Sequence, residues 1–180
     1  MKVVLDACVL YPTIMREILV GLAQEGGFVP IWSTKILSEW QHAAARGGEA
    51  VKAQSLVEIA LLKASWPKAA IDIDNHDLEG FWLPDPDDRH VLAAAVAGRA
   101  DCIVTMNLKD FPSRVLGRHD LYVRHPDAFL LEIAQTGALD GVIRTVWQKS
   151  EQISQKELVL RNLLKRTGLP RLGRHYEHFS

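Results

Sequence analysis

Acidic side chains stand beside apolar segments at several separated places in this chain. Asp6 ends the apolar run at the N-terminus, and Asn107 and Asp110 follow the apolar stretch "CIVTM". Glu39 lies inside an apolar helical pattern, and Asp88 opens an Ala-rich one. Carboxylates that converge to within a few ångströms raise one another's pKa and oppose folding, so a cation must lie among them. All-oxygen ligation suits Mg²⁺ or Mn²⁺, and such ions support hydrolysis of phosphodiester bonds.

A turn or a helix cap would also explain each of these residues taken singly. Asp6 could simply end a strand, and Glu39 could lie on a solvated helix face. Turn and cap chemistry would equally account for the remaining polar residues, which are Asp85, Asp87, Asp88, Asn107 and Asp110. Four carboxylates from four segments favour a metal site over a set of unrelated caps.

The elements that must position these residues alternate between strand and helix patterns. Short apolar runs predict strands at "KVVLDA", "FVPIWS", "AAIDI", "DCIVTMN" and "LYV". Amphipathic or Ala-rich stretches between them predict helices, as in residues 49 to 66, where the helical period holds until Pro67. This alternation indicates an α/β fold with a parallel sheet. The carboxyl ends of parallel strands meet at one edge, which is where ligands bind and where Asp6, Asn107 and Asp110 would gather.

The pattern changes after Leu139, where two amphipathic helical stretches follow with no strand signal. We interpret this part as a helical appendage. Residues 1–143 carry a net charge of −6 and residues 144–180 one of +5. A basic arm could contact nucleic acid or neutralise its own acidic body. The candidates for RNA backbone contacts in this arm are Arg161, Lys165, Arg166, Arg171 and Arg174.

Length and composition exclude several classes of protein. A chain of 180 residues with 48% hydrophobic and 24% charged residues can bury a core without disulfides. No apolar run is long enough to span a membrane and no secretory leader is visible, so we expect a cytoplasmic protein. Cys8 and Cys102 lie in apolar runs and are expected to be buried hydrophobes rather than zinc ligands.

Four motifs together resemble the PIN domain, the nuclease fold of VapC-type toxins. They are "VVLDACVLYP", the glutamate of "LSEW", "LPDPDDRHVLAAAVA" and "IVTMNLKDFP". The resemblance covers about residues 1–130 and implies a three-layer α/β/α fold around a central, mainly parallel sheet. Residues 131–180 would then be a helical C-terminal extension with a basic tail, similar to that of a longer VapC-like subgroup.

The resemblance also implies roles for individual residues. Asp6, Glu39, Asp88 and Asp110 match the family's catalytic acids, and Asp6, Asp88 and Asp110 would hold the metal ion. Asn107 would orient a ligand or a water molecule. Asp85 and Asp87 lie beside the third acid and are auxiliary candidates, because the match to Asp88 could slip by one or three residues. PIN domains cleave single-stranded or looped RNA with Mg²⁺ or Mn²⁺, and VapC-type members are commonly homodimers held by an antitoxin.

Other residues leave alternatives open. Arg89 could contact a phosphate or pair with a neighbouring acid. The histidines, His90 included, have no partner spacing that distinguishes them from surface residues. The tryptophans could stack on RNA bases, but most occupy apolar positions that favour core packing; they are Trp32, Trp40, Trp66, Trp82 and Trp147.

Two competing functions remain. Asp6 could be the phosphoacceptor of a phosphotransferase, but Cys8 stands where haloacid dehalogenase-type enzymes have a second aspartate. The chain could also be an RNA-binding or partner-binding module on a PIN scaffold without catalysis. Loss of one of the four acids would mark such a module, and all four are present.

Overall fold

A parallel β-sheet organises the fold in the computed structural model, which describes residues 1–74 and 76–179. Within these residues it has five strands in the order β3-β2-β1-β4-β5, and every pairing is parallel. The strands are β1 Lys2–Leu5, β2 Val29–Ser33, β3 Ala70–Ile71, β4 Cys102–Val104 and β5 Tyr122–Arg124. The predicted α/β class is confirmed, and the sheet is wholly rather than mainly parallel in the part of the chain described.

Helices connect the strands and form the C-terminal part of the chain. In chain order they are α1 Ala7–Leu10, α2 Thr13–Gln24, α3 Thr34–Ala45, α4 Glu49–Ser65, α5 Arg89–Ala97, α6 Ser113–Leu116, α7 Pro126–Ala134, α8 Asp140–Ser154, α9 Leu160–Arg166 and α10 Pro170–His175. Short 3₁₀ turns occupy His76–Leu78, Pro86–Asp88, Leu108–Asp110 and Gly117–His119. Among the described residues, no helix has the length and apolar character needed to cross a bilayer.

The adjacent strands β1 and β4 carry buried apolar residues on both faces, as expected where helices cover a parallel sheet. Val3, Val4 and Leu5 of β1 are fully buried, and so is every residue of β4. The register pairs Leu5 with Val104, so β1 and β4 end side by side. Strand order reverses at this pair, with β2 and β3 on one side and β5 on the other. Such a reversal leaves a crevice outside the strand ends, where ligands bind in open parallel sheets.

Helices α3 and α5 are fixed next to this edge by local sequence. The side chain of Ser33 caps α3 by accepting a hydrogen bond from the Ile36 N–H at 3.1 Å. Helix α5 contacts β1, β2 and β4. Its run of small residues lets it lie close to the sheet, and a Cβ at Gly98 would come within 2.9 Å of the Ile31 side chain. The chain therefore delivers Glu39, on α3, and Asp88, just before α5, to fixed positions.

The chain divides into two compact units, one of residues 1–11 with 28–124 and the other of residues 12–27 with 125–180. The second unit contains the predicted helical extension. Its two expected helices are α8 and α9, and Gly168 with a positive φ precedes a third, short helix at Pro170 that was not predicted. The buried Asp127 caps this helix by accepting hydrogen bonds from the Arg171 and Leu172 N–H groups, both at 2.9 Å.

Candidate metal centre

Asp6 is the first acid at the sheet edge, one residue beyond the end of β1. Its residue is 7% exposed, and its N–H donates to the carbonyl of Val104, which continues the β1–β4 ladder by one bond. The Oδ2 atom accepts hydrogen bonds from Thr105 Oγ1 at 2.6 Å and from Cys8 Sγ at 3.1 Å. Asp6 is thus held in one orientation by groups from both neighbouring strand ends.

Three further acids meet in one cluster, which we call the acidic triad: Asp85, Asp88 and Asp110. One carboxylate oxygen from each lies within 4.8 Å of the others. Asp85 opens the 3₁₀ turn before α5 and accepts a hydrogen bond from the Asp87 N–H at 2.9 Å. Asp110 closes the turn after β4, and its Oδ2 accepts a hydrogen bond from the Asn107 amide. Two separate turns therefore bring their carboxylates to a common point.

Asp88 experiences the negative charge of this site most directly. Its pKa is raised from 3.8 to about 6, first by burial and then by the charges of Asp6, Asp85 and Asp110, with a smaller opposing effect of His90. Its Oδ2 atom is buried and has no hydrogen-bond partner within the described part of the chain. A buried carboxylate oxygen without a donor, surrounded by like charge, fits a hard divalent cation that accepts several oxygen ligands.

Glu39 lies beside His90. Its Oε1 lies 2.8 Å from His90 Nε2, close enough for an ion pair with a protonated histidine, although neither ring nitrogen of His90 has a hydrogen-bond partner among the described residues. The Glu39 side chain is 37% exposed, whereas that of His90 is only 1% exposed. Among the described residues the acidic triad does not include Glu39. The histidine therefore contacts Glu39 and also acts electrostatically on Asp88, two residues before it.

Three residues of the site were not singled out from the sequence: His90, Thr105 and Cys8. His90 is buried, and the available signal was its spacing from Ala93 and Ala94 on the inner side of α5. Thr105 is fully buried and links the site, because its hydroxyl donates to Asp6 and accepts from the Asn107 N–H at 3.1 Å. A threonine directly after a buried strand was the only signal for this role.

Cys8 is half-buried and hydrogen-bonded rather than a purely hydrophobic core residue. Its sulfur accepts from the Met106 N–H at 3.2 Å and donates to Asp6. Burial, followed by the charge of Asp6, raises the pKa of the thiol to about 12. The thiol is therefore protonated at neutral pH and acts as a hydrogen-bond donor. Neither Cys8 nor Cys102 forms a disulfide bond within the described residues.

Comparison with known proteins identifies the family. Residues 2–109, more than half of the chain, match the PIN domain. The chain belongs to the PIN domain family. It is also 58% identical over 45 residues to a protein of Mycobacterium tuberculosis (strain ATCC 25618 / H37Rv) named "Putative ribonuclease VapC50". That stretch is 25% of this chain and spans only 27% of the relative's length. No solved structure matches the chain. The predicted resemblance to the PIN domain is confirmed, and the matched relative carries a VapC name.

The remaining predicted site residues of this PIN domain protein lie outside the acidic triad. Asp87 is exposed and contributes its N–H, not its carboxylate, to the turn. Arg89 donates from Nε to the Pro86 carbonyl at 3.0 Å and so fastens the same turn. Arg161 pairs with Glu177 in the second unit. The other candidates for RNA contact in the α9 region are exposed; they are Lys165 and Arg166.

Proposed function

We propose that this PIN domain protein is a Mg²⁺- or Mn²⁺-dependent endoribonuclease and the toxin of a toxin–antitoxin pair in the cytoplasm. The observation that carries the proposal is the acidic triad together with the buried Oδ2 of Asp88, which has no hydrogen-bond partner among the described residues. The name of the matched relative, a ribonuclease, supports RNA as the substrate. Four neighbouring carboxylates repel one another when ionised, and a bound metal ion would offset that repulsion.

The proposed metal ligands are Asp6, Asp88 and Asp110, and Asp85 joins them because its carboxylate lies within 4.8 Å of the other triad members. When bound, a divalent cation lowers the pKa of an attacking water and stabilises the charge that develops on the leaving oxygen. Asn107 donates to Asp110 and thereby orients its carboxylate.

The remaining residues of the site keep these acids in place. Thr105 and Cys8 hold Oδ2 of Asp6, which leaves its Oδ1 as the oxygen able to face a ligand. Glu39, which contacts His90, is the candidate for accepting a proton from the attacking water. Together these contacts preset the carboxylate orientations before any ion or RNA binds, which is the arrangement that efficient metal catalysis needs.

A cleavage assay with matched variants tests the proposal. Purified protein is incubated with structured RNA in Mn²⁺, with and without a chelator. We expect cleavage by the wild type in Mn²⁺, loss of cleavage in chelator, and loss in Asp6→Asn and Asp88→Asn. Asp87→Asn is the matched control, because its carboxylate lies in the same turn but outside the triad. Equal cleavage by wild type and Asp88→Asn would falsify the assignment.

The proposed partners are an antitoxin and a second copy of the chain. The VapC-type resemblance supports both, and α4 offers exposed apolar side chains that a partner could cover, among them Val57 and Leu61. Light scattering of the purified protein tests the homodimer, and a monomer at micromolar concentration would contradict it. A small neighbouring gene for a DNA-binding protein would support the antitoxin.

A further inference from the structure

A concave site lies in the same compact unit as the acidic triad. It is a cavity of about 330 Å³, at the small end of the range for ligand pockets. Its lining includes Phe81, Trp82, Arg114, Arg118 and His119. These residues come from two segments, one before Asp85 and the other after Asp110. We call this site the Trp82 pocket.

Trp82 is unusual among the tryptophans of this chain because its side chain faces solvent. It is 65% exposed, whereas Trp32 and Trp40 are buried in the core. The next residue, Leu83, is buried and anchors the segment, which leaves the indole turned outward. Phe81 packs edge to face against His119, with ring centroids 5.3 Å apart, and so joins the two segments. An exposed indole on a braced segment offers a flat surface on which a nucleobase can stack.

The other side of the Trp82 pocket is cationic. Arg114 lies on α6 and Arg118 in the 3₁₀ turn that follows it, one helical turn apart. Among the residues whose side chains the structure describes, neither guanidinium has an ion pair or a hydrogen bond, and no acid is among the described residues that line the pocket. Arginine binds phosphate through paired N–H donors. An aromatic face beside two guanidinium groups suits a ligand that is both aromatic and anionic.

The chain places this pocket close to the acidic triad. Trp82 is three residues before Asp85, so their Cα atoms are at most about 11 Å apart even in fully extended chain. Arg114 is four residues after Asp110, which limits that separation to about 14 Å. A strand with its phosphate at the triad could therefore reach the Trp82 pocket within a few nucleotides.

We propose that the Trp82 pocket binds one nucleotide of the RNA strand next to the cleaved bond. The base stacks on Trp82, and Arg114 and Arg118 hold the flanking phosphates. This inference rests on the proposed ribonuclease function for the identity of the strand. It assigns to these residues a part in substrate affinity and sequence preference, while the triad carries the chemistry.

Binding measured without metal separates the pocket from the chemistry. The probe is a pool of short single-stranded RNA of randomised sequence, labelled at one end and titrated in EDTA at low salt. We expect Trp82→Ala to weaken binding about 5- to 100-fold, since one base stack accounts for that range, and Trp82→Phe to restore most of it. The Arg114→Gln/Arg118→Gln double variant should weaken binding and lower the slope of log K against log salt by about 1 to 2.

Arg46→Gln is the charge control, because Arg46 is exposed and distant in sequence from both segments that line the pocket; its affinity should match the wild type. In Mn²⁺, the pocket variants should raise KM with little change in kcat. The proposal would be overturned if Trp82→Ala and the double arginine variant both had the RNA affinity and the KM of the wild-type protein. Failure of the wild-type protein to bind the RNA pool would overturn it as well.

Failure of the ribonuclease assignment gives a different result. A wild-type protein that binds the RNA pool through this pocket but cleaves nothing in Mn²⁺ would refute the nuclease and keep the pocket. If both variants bound RNA as tightly as the wild type but bound a co-purified protein more weakly, the pocket would be a site for a protein partner. Our inference would then be wrong.

Discussion

Asp88→Asn should stabilise the metal-free protein although it abolishes the proposed activity. The folded state raises the pKa of Asp88 from 3.8 to about 6, so folding disfavours the charged form of this carboxyl. The substitution removes that charge and keeps the side-chain volume. A functional acid that lowers the stability of its own fold is expected where a cation normally compensates the charge.

The magnitude follows from the size of the pKa shift. Two pKa units correspond to an upper limit of about 3 kcal/mol. Asp88 is only partly buried, and solvent screening reduces this to about 1–2 kcal/mol. For a chain of this length that is a rise in Tm of about 2–8 °C.

The pH dependence has a definite sign. A carboxyl with a raised folded pKa binds its proton more tightly when folded, so the wild-type protein loses stability as the pH rises from about 4 to about 6. Above that window the penalty is complete, and below it the penalty is absent. The advantage of Asp88→Asn should therefore be full at about pH 8 and vanish at about pH 4.

Thermal unfolding in EDTA, followed by circular dichroism at both pH values, measures this effect. Asp87→Asn is the control for loss of one negative charge from the same turn, and its Tm should change little. Addition of Mn²⁺ should raise the Tm of the wild type and leave that of Asp88→Asn unchanged. An Asp88→Asn protein no more stable than the wild type in EDTA, or equally stabilised at both pH values, would refute the electrostatic reasoning.

Three further predictions concern the same site. Mn²⁺ affinity, measured by calorimetry, should fall as the pH drops below about 6, because the proton on Asp88 competes with the ion; constant affinity down to about pH 4 would contradict this. His90→Gln, which keeps a polar N–H group near Glu39, should retain more kcat than His90→Met at equal Tm, and identical rates would rule out a positioning role. Thr105→Val should lower Mn²⁺ affinity about 10- to 100-fold, because it removes the hydroxyl that orients the Asp6 carboxylate. Thr105→Ser keeps the hydroxyl and should restore the affinity. A Thr105→Val protein with wild-type affinity would exclude this role of Thr105.

The centre of the sheet could be predicted because β1 and β4 are short runs of mostly apolar, buried residues. In β1 and β4 the apolar run and the strand coincide, and the end of each run marked Asp6 and the Asn107 turn. The position of Asp6 at a sheet edge could be predicted from this pattern alone, because the carboxyl ends of parallel strands share one edge. The family resemblance added the order of the acids, and the match of residues 2–109 confirmed that family.

The finer choices within turns could not be predicted from one sequence. Asp85, Asp87 and Asp88 lie within four residues, and a 3₁₀ turn sends Asp87 outward while the other two join Asp110. Such an outcome depends on local backbone angles that composition does not determine. The same limit applies to Trp82, because an apolar pattern favours burial, and only the structure reveals that its neighbour Leu83 takes the buried position.

The hydrogen bonds of the site divide the acids into two kinds, and this division was invisible in the sequence. Asp6 receives two side-chain donors, from Thr105 and Cys8, whereas the buried oxygen of Asp88 receives none from the described residues. Hydrogen-bond donors stabilise a carboxylate, so the charge of Asp6 is already partly compensated, and Asp88 is the acid whose charge most needs a cation. Because Asp88 also feels the charges of the three other aspartates, an ion bound there would relieve the largest share of the repulsion. The geometry therefore makes Asp88 the residue through which binding of the proposed metal ion would change the stability of the fold.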